Sequence, residues 1–193
     1  MKVLKWLALG AAALLSACGT RGELDPATAA PSDSESVIVV GISPDYFRAS
    51  FFPGSIEGGK FSGSTIRSVA LYGSTVDGYL IGKVKAGETI GITQLWYQGS
   101  TVFSYATFSS CEKKTMVLQI PKGKVLYAGS LDIRQVGQGI NWDYEQDLER
   151  ARRYVDEKYP SLKGRLELLE PQWLTSSRSC TPTAITIPIP SGR

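Results

Sequence analysis

The chain predicts a mainly β protein: an antiparallel β-sandwich of about seven or eight strands carrying one amphipathic α-helix, over about residues 143–159. Three observations lead there. Short β-branched and aromatic runs recur between Gly, Pro and Asp-Gly turn signals at hairpin-like spacing. The 193 residues hold 20 Gly and 9 Tyr with only 20% charged residues, a composition suited to strands. One stretch alone carries a sustained 3.6-residue period.

The first clear strand is Val37-Ile38-Val39-Val40-Gly41-Ile42, a β-branched run that reads as buried, ended by Ser43-Pro44-Asp45. Residues 45–64 read as a loop, because Pro53-Gly54 and Gly58-Gly59 punctuate it. Tyr46, Phe47, Phe51 and Phe52 lie in that loop, either as a cover on one end of the core or as a ligand-contacting surface. Strand-like segments follow at 65–72, 79–84, 88–97 and 101–108. Turns at Asp77-Gly78, Lys85-Ala86-Gly87-Glu88 and Gln98-Gly99-Ser100 separate the later ones. Ile90 and Ile92 are in one phase and Leu95 and Tyr97 in the other, so Thr93-Gln94 is a candidate bulge. Strands at 115–120 and 124–134 flank Pro121-Lys122-Gly123, which reads as a hairpin.

The helix pattern has Asp143 as N-cap, Gln146 three residues on, and Tyr144, Leu148, Ala151 and Val155 along one face. Acidic residues occupy its first half and basic ones its second, matching the helix dipole. Tyr159-Pro160 ends it. In the tail, Pro188 and Pro190 remove two backbone donors beside Ile185, Ile187 and Ile189, so that strand fits only a sheet edge.

The chain opens with Lys2 and Lys5 and an apolar run from Trp6 to Leu15. That run is too short to cross a bilayer as a helix, which takes roughly 20 residues. A basic start, a short apolar core and small residues are the parts of a signal peptide. Leu15-Ser16-Ala17-Cys18 resembles the lipobox of bacterial lipoproteins. The resemblance implies cleavage before Cys18, acylation of that residue, and residence in the cell envelope. Gly19, in place of an acid, implies transport to the periplasmic face of the outer membrane. The organisation expected is then a signal peptide over 1–17, a lipidated cysteine and flexible tether over 18–36, and one domain over 37–193. As a flexible coil the tether would reach about 20–25 Å.

The formal charge is +3. Leaving Lys2 and Lys5 out of the 21 Lys and Arg gives 19 against 18 Asp and Glu. That balance carries no strong footprint for nucleic acid, so no nucleic-acid partner is expected. The sequence contains no histidine, which removes imidazole bases and ligands together with Ser-His-Asp and Cys-His catalysis. With Cys18 committed to lipid, Cys111 and Cys180 remain. An even pair in an oxidising compartment reads as one disulfide, with two unpaired thiols as the other reading. The bridge would close a loop of about 70 residues, worth about 4 kcal/mol on a chain-entropy account.

Ser110-Cys111-Glu112-Lys113 has the S-x-x-K spacing that sets a lysine beside a nucleophilic serine. It lies between strands and lacks the Ser-Asp-Asn and Lys-Thr-Gly companions, so no catalytic residue is assigned. Gly137-Gln138-Gly139 lacks the third glycine and the βαβ setting of a dinucleotide site. No metal ligand set and no cofactor are implied. Trp96, Tyr97, Phe103, Tyr105 and Phe108 are either a sugar-stacking platform or cross-strand core pairs.

Lys85-Ala86-Gly87-Glu88-Thr89-Ile90, the run from Lys122 through Tyr127-Ala128-Gly129, and the helix end Lys158-Tyr159-Pro160-Ser161-Leu162 resemble small bacterial lipoproteins with transthyretin-like or prealbumin-like β-sandwich domains. That resemblance implies a fold and a place. The function expected is a non-enzymatic, lipid-anchored envelope protein, held to the membrane through Cys18, that binds another envelope protein or the cell wall. The alternatives are a small-ligand or carbohydrate-binding module and a histidine-free hydrolase.

Overall fold

The computed structural model describes residues 20–21, 24–64, 66–98, 102–107, 114–136, 139–176 and 185–188. It is mainly β, with fourteen strands and one α-helix among those residues, in two packed sheets. In order the strands are β1 (Thr20–Arg21), β2 (Glu35–Ser43), β3 (Phe47–Glu57), β4 (Lys60–Gly63) and β5 (Leu71–Ser74). They continue with β6 (Tyr79–Lys85), β7 (Thr89–Gln98), β8 (Val102–Thr107), β9 (Lys114–Gln119) and β10 (Val125–Val136). The last are β11 (Gly139–Glu145), β12 (Leu166–Leu168), β13 (Gln172–Ser176) and β14 (Ile185–Pro188). Helix α1 (Leu148–Lys158) lies between β11 and β12 and is followed by a 3₁₀ turn, Pro160–Leu162.

The Val37–Ile42 run forms the middle of β2, and every residue from Ser36 to Ile42 is buried. Such a run needs apolar cover on both faces. Ile38, Val40 and Ile42 enter the core between the two sheets, whereas Val37 and Val39 enter a second cluster beneath α1. β2 sits between antiparallel β6 and parallel β10, and β10 carries β11 and β12 on its other edge. At Gly129 (φ 89°) the β2–β10 ladder shifts register. A Cβ there would stand 2.2 Å from the Tyr144 ring, so the close approach requires glycine.

In the nine-stranded sheet β3 pairs with β7 on one edge and with β5 and then β4 on the other. Pairings β4–β13, β13–β9 and β9–β7 close β3, β4, β13, β9 and β7 into a ring. Phe61 is buried there, its ring within 2.7 Å of where a Cβ would stand on Gly54 or Gly91. The candidate bulge is present: Ser50 faces Gln94 and Phe51 faces Ile92, leaving Thr93 with no opposite residue. The Thr115 hydroxyl donates to the Ile92 carbonyl beside it, at 2.5 Å. The tail strand is an edge strand as expected, since β14 ends the sheet order on β8.

Several expectations are corrected. The strands outnumber seven or eight because residues 45–64, expected as a loop, pair as strands, and so do residues 139–145, the last three of which fall in the expected start of the helix. Residues 47–57 and 60–63 are β3 and β4, with Phe47, Ala49 and Phe51 alternating into the core. Only Leu71 and Tyr72 of the expected 65–72 strand lie in β5, and Ile66 is 96% exposed. Pro121-Lys122-Gly123 is no hairpin, since β9 and β10 belong to different sheets. The buried Ser36 hydroxyl donates to the Pro121 carbonyl (2.6 Å) and accepts from Lys124 N–H (3.0 Å), clamping that crossing.

The helix begins at Leu148, not near 143. Asp147 caps it by accepting from Arg150 N–H at 2.9 Å, while residues 139–145 pair with β10. Tyr144 and Trp142 therefore pack on the inter-sheet core, and Ala151, Tyr154 and Val155 form the buried helix face. The tether reading fails over residues 24–36. Leu24 and Ala29 are buried in the cluster under α1, and the Ser161 hydroxyl donates to the Pro26 carbonyl at 3.1 Å.

Candidate functional site

Cys18, Cys111 and Cys180 lie outside the described residues, as do Ser110 and Lys113 of the S-x-x-K match and Phe108 of the aromatic group. Of the 46–52 aromatics, Phe47 and Phe51 are core residues, Phe52 is half-buried and Tyr46 is 46% exposed. The period-2 pattern of β3 explains this, because 47, 49 and 51 share its inner face. On the other hairpin, Trp96 is half-buried and stands opposite Arg48 on β3 and Tyr105 on β8.

The structure assembles something else at one end of the sandwich, from segments far apart in sequence. Ala86 N–H donates to the Ser34 carbonyl, Gly87 N–H to that of Ile120, and Gly123 N–H to that of Glu35, at 2.7–3.0 Å. Arg67 reaches across from the loop before β5 to pair with Glu88. Beside the 121–124 crossing, Gly123, Lys124, Val125, Gly164, Arg165 and Glu167 line an open depression of about 410 Å³. Lys124 Nζ lies 2.8 and 3.1 Å from the two Glu167 carboxylate oxygens.

Six cations therefore collect at this end: Arg67, Lys85, Lys122, Lys124, Lys163 and Arg165. The carboxylates there are Asp33, Glu35, Glu88, Asp156 and Glu167, and Asp156 accepts from Gly164 N–H at 2.9 Å, between Lys163 and Arg165. Glu88 and Glu167 are engaged by Arg67 and Lys124, and Glu35 lies 3.9 Å from Lys83. No ion pair among the described residues engages Lys85, Lys122, Lys163 or Arg165. These four are exposed donors suited to an anion, and nothing in their turns marks them in the sequence. Each turn contributes one or two basic residues, and only the fold adds them together.

Ionisation elsewhere follows packing. Burial pushes the Tyr79 phenol above its ordinary value, with Tyr127 adding to the effect. Burial does the same for Tyr144, opposed by the Gln146 hydrogen bond. Lys158 at the end of α1 is raised by its hydrogen bond and charge pairing with Asp77, 3.1 Å away in the β5–β6 turn. Among the described residues no group of three or more His, Cys, Asp or Glu could hold a metal ion. No helix of the described residues is long and apolar enough to cross a membrane. No family model, no curated protein and no solved structure matches the chain.

Proposed function

We propose that this chain is a lipid-anchored, non-enzymatic protein of the cell envelope whose β-sandwich binds another envelope component, a protein or the cell wall. The observation that carries the reading is Leu15-Ser16-Ala17-Cys18 following a basic start and a short apolar run. Acyl chains on Cys18 hold the protein to the membrane, on the periplasmic face of the outer membrane by the identity of Gly19. Binding rather than catalysis is supported by the state of the acids near the depression, since Glu88 and Glu167 are each taken up by a neighbouring cation. Cys111 and Cys180 form one disulfide in that compartment.

Metabolic labelling with palmitate tests the anchor. The wild-type chain should carry label and pellet with membranes, and Cys18→Ser should lose both. Persistent labelling of Cys18→Ser sinks the assignment. The same preparation run on gels with and without reductant reads the Cys111–Cys180 bridge as a mobility difference.

A further inference from the structure

The first described strand enters the nine-stranded sheet beside the loop that joins the cationic end. β1 pairs in parallel with β5, Thr20 facing Leu71 and Arg21 facing Tyr72. A parallel partner of β5 is entered from the same side as β5 itself, which is the side of the loop 66–70. Cys18 precedes Thr20 by two residues, so its Cα lies at most about 7 Å from that of Thr20. The 66–70 loop carries Ile66, 96% exposed, and Arg67, which is joined by its ion pair to the 85–88 turn. That turn is hydrogen-bonded to the end of β9, which leads into the 121–124 crossing.

We infer that this end of the sandwich is the face seated on the membrane. Ile66 enters the headgroup layer, and Lys85, Lys122, Lys163 and Arg165 meet the phosphates of anionic lipids. The inference rests on acylation at Cys18, and three observations select this occupant. The chain leading to the acylated residue is too short to let the domain stand off, because Leu24 is already buried on the domain six residues after Cys18. Those six residues span at most about 20 Å, and β1 uses two of them. Among the described residues no ion pair engages the four cations, so they are available to an external anion. Ile66 is the most exposed large apolar side chain described, in a loop that gains nothing by showing it to water. Held by the anchor, the cations sit within about a Debye length of the surface, 8 Å at physiological salt, where each favours an anionic surface by about fivefold.

The test uses the full acylated chain in vesicles of phosphatidylcholine with phosphatidylglycerol. A fluorophore is placed at Ile66→Cys or at Val76→Cys, and headgroup spin-labelled lipid is the quencher; the unsubstituted chain controls for labelling of native cysteines. Val76 adjoins the start of β6 and Lys85 is its end, about 20 Å of strand apart. The label at 66 should be quenched several-fold more than the label at 76. The difference should shrink in 0.5 M salt, and in the triple variant Lys122→Glu, Lys163→Glu, Arg165→Glu. Equal quenching at the two sites, or stronger quenching at 76, overturns the seating. A difference at 66 that neither salt nor the triple variant reduces overturns the role of the cations, and the salt arm answers even if that variant does not fold. Flotation of the vesicles separates the two readings: a chain that floats without differential quenching loses only the seating, whereas a chain that does not float loses the anchor as well.

Discussion

The sheet containing β2 and β10 buries both faces, and the two are built differently. Toward the nine-stranded sheet the cluster is aliphatic with Phe47 and Phe51, drawn from strands that alternate inward and outward. Beneath α1 the cover is a helix and a single length of chain, and the cluster holds four tyrosines, Tyr79, Tyr127, Tyr154 and Tyr159. Tyr79 and Tyr154 stack at 4.5 Å, and Tyr154 meets Tyr159 edge-on at 6.2 Å. The Tyr127 and Ser130 hydroxyls are 2.7 Å apart at the margin. A face covered by a second sheet can be all apolar, because the strand ladders satisfy the backbone. One covered by a helix and a loop takes tyrosine rings to fill the area, and at its margin the Tyr127 hydroxyl reaches the Ser130 hydroxyl and the Asp147 N–H.

That comparison can be broken first at its larger side. Phe51→Ala removes a fully buried ring between the sheets and should cost about 3–5 kcal/mol, read as a lowered urea midpoint with unchanged slope. A loss below about 1 kcal/mol would mean that this face tolerates a cavity and is not the principal core. Leu24→Ala probes the other face and should cost about 2 kcal/mol, since the residue is buried where the chain crosses onto the domain. Limited proteolysis should then find new cuts within residues 24–34. If stability and cleavage are both unchanged, residues 24–36 act as a free tether after all. The smallest effect belongs to the helix cap: Asp147→Ala should lower stability by about 1 kcal/mol. Fluorescence and far-ultraviolet dichroism would follow it as one coincident transition, whereas separate transitions would show α1 detaching from a sheet that stays folded.

Much of the fold was legible where local pattern and environment agree. Val37–Ile42 needed two apolar covers and has them, and the change of phase between Ile92 and Leu95 was a bulge. Tyr159-Pro160 ended the helix as proline geometry requires. The misread segments share a cause, a local signal with two physical readings. Pro53-Gly54 and Gly58-Gly59 look like loop punctuation. In β3 and β4, however, Gly54 makes room for Phe61, and the second pair turns the hairpin. Tyr144 is four residues before Leu148, which mimics a helical face; pairing with β10 makes it a strand residue instead.

Read alone, the residues already set the β-rich class, the buried middle strand, the body of the helix and the exclusion of imidazole chemistry. These follow from composition and from periods of 2 and 3.6 residues, which are properties of neighbours along the chain. The tertiary structure decided which strands share a sheet. It also carried Pro121-Lys122-Gly123 across the sandwich, and it gathered Arg67, Lys85, Lys122, Lys163 and Arg165 at one end. Pairing joins residues tens of positions apart, and a turn sequence specifies a change of direction without specifying the partner beyond it.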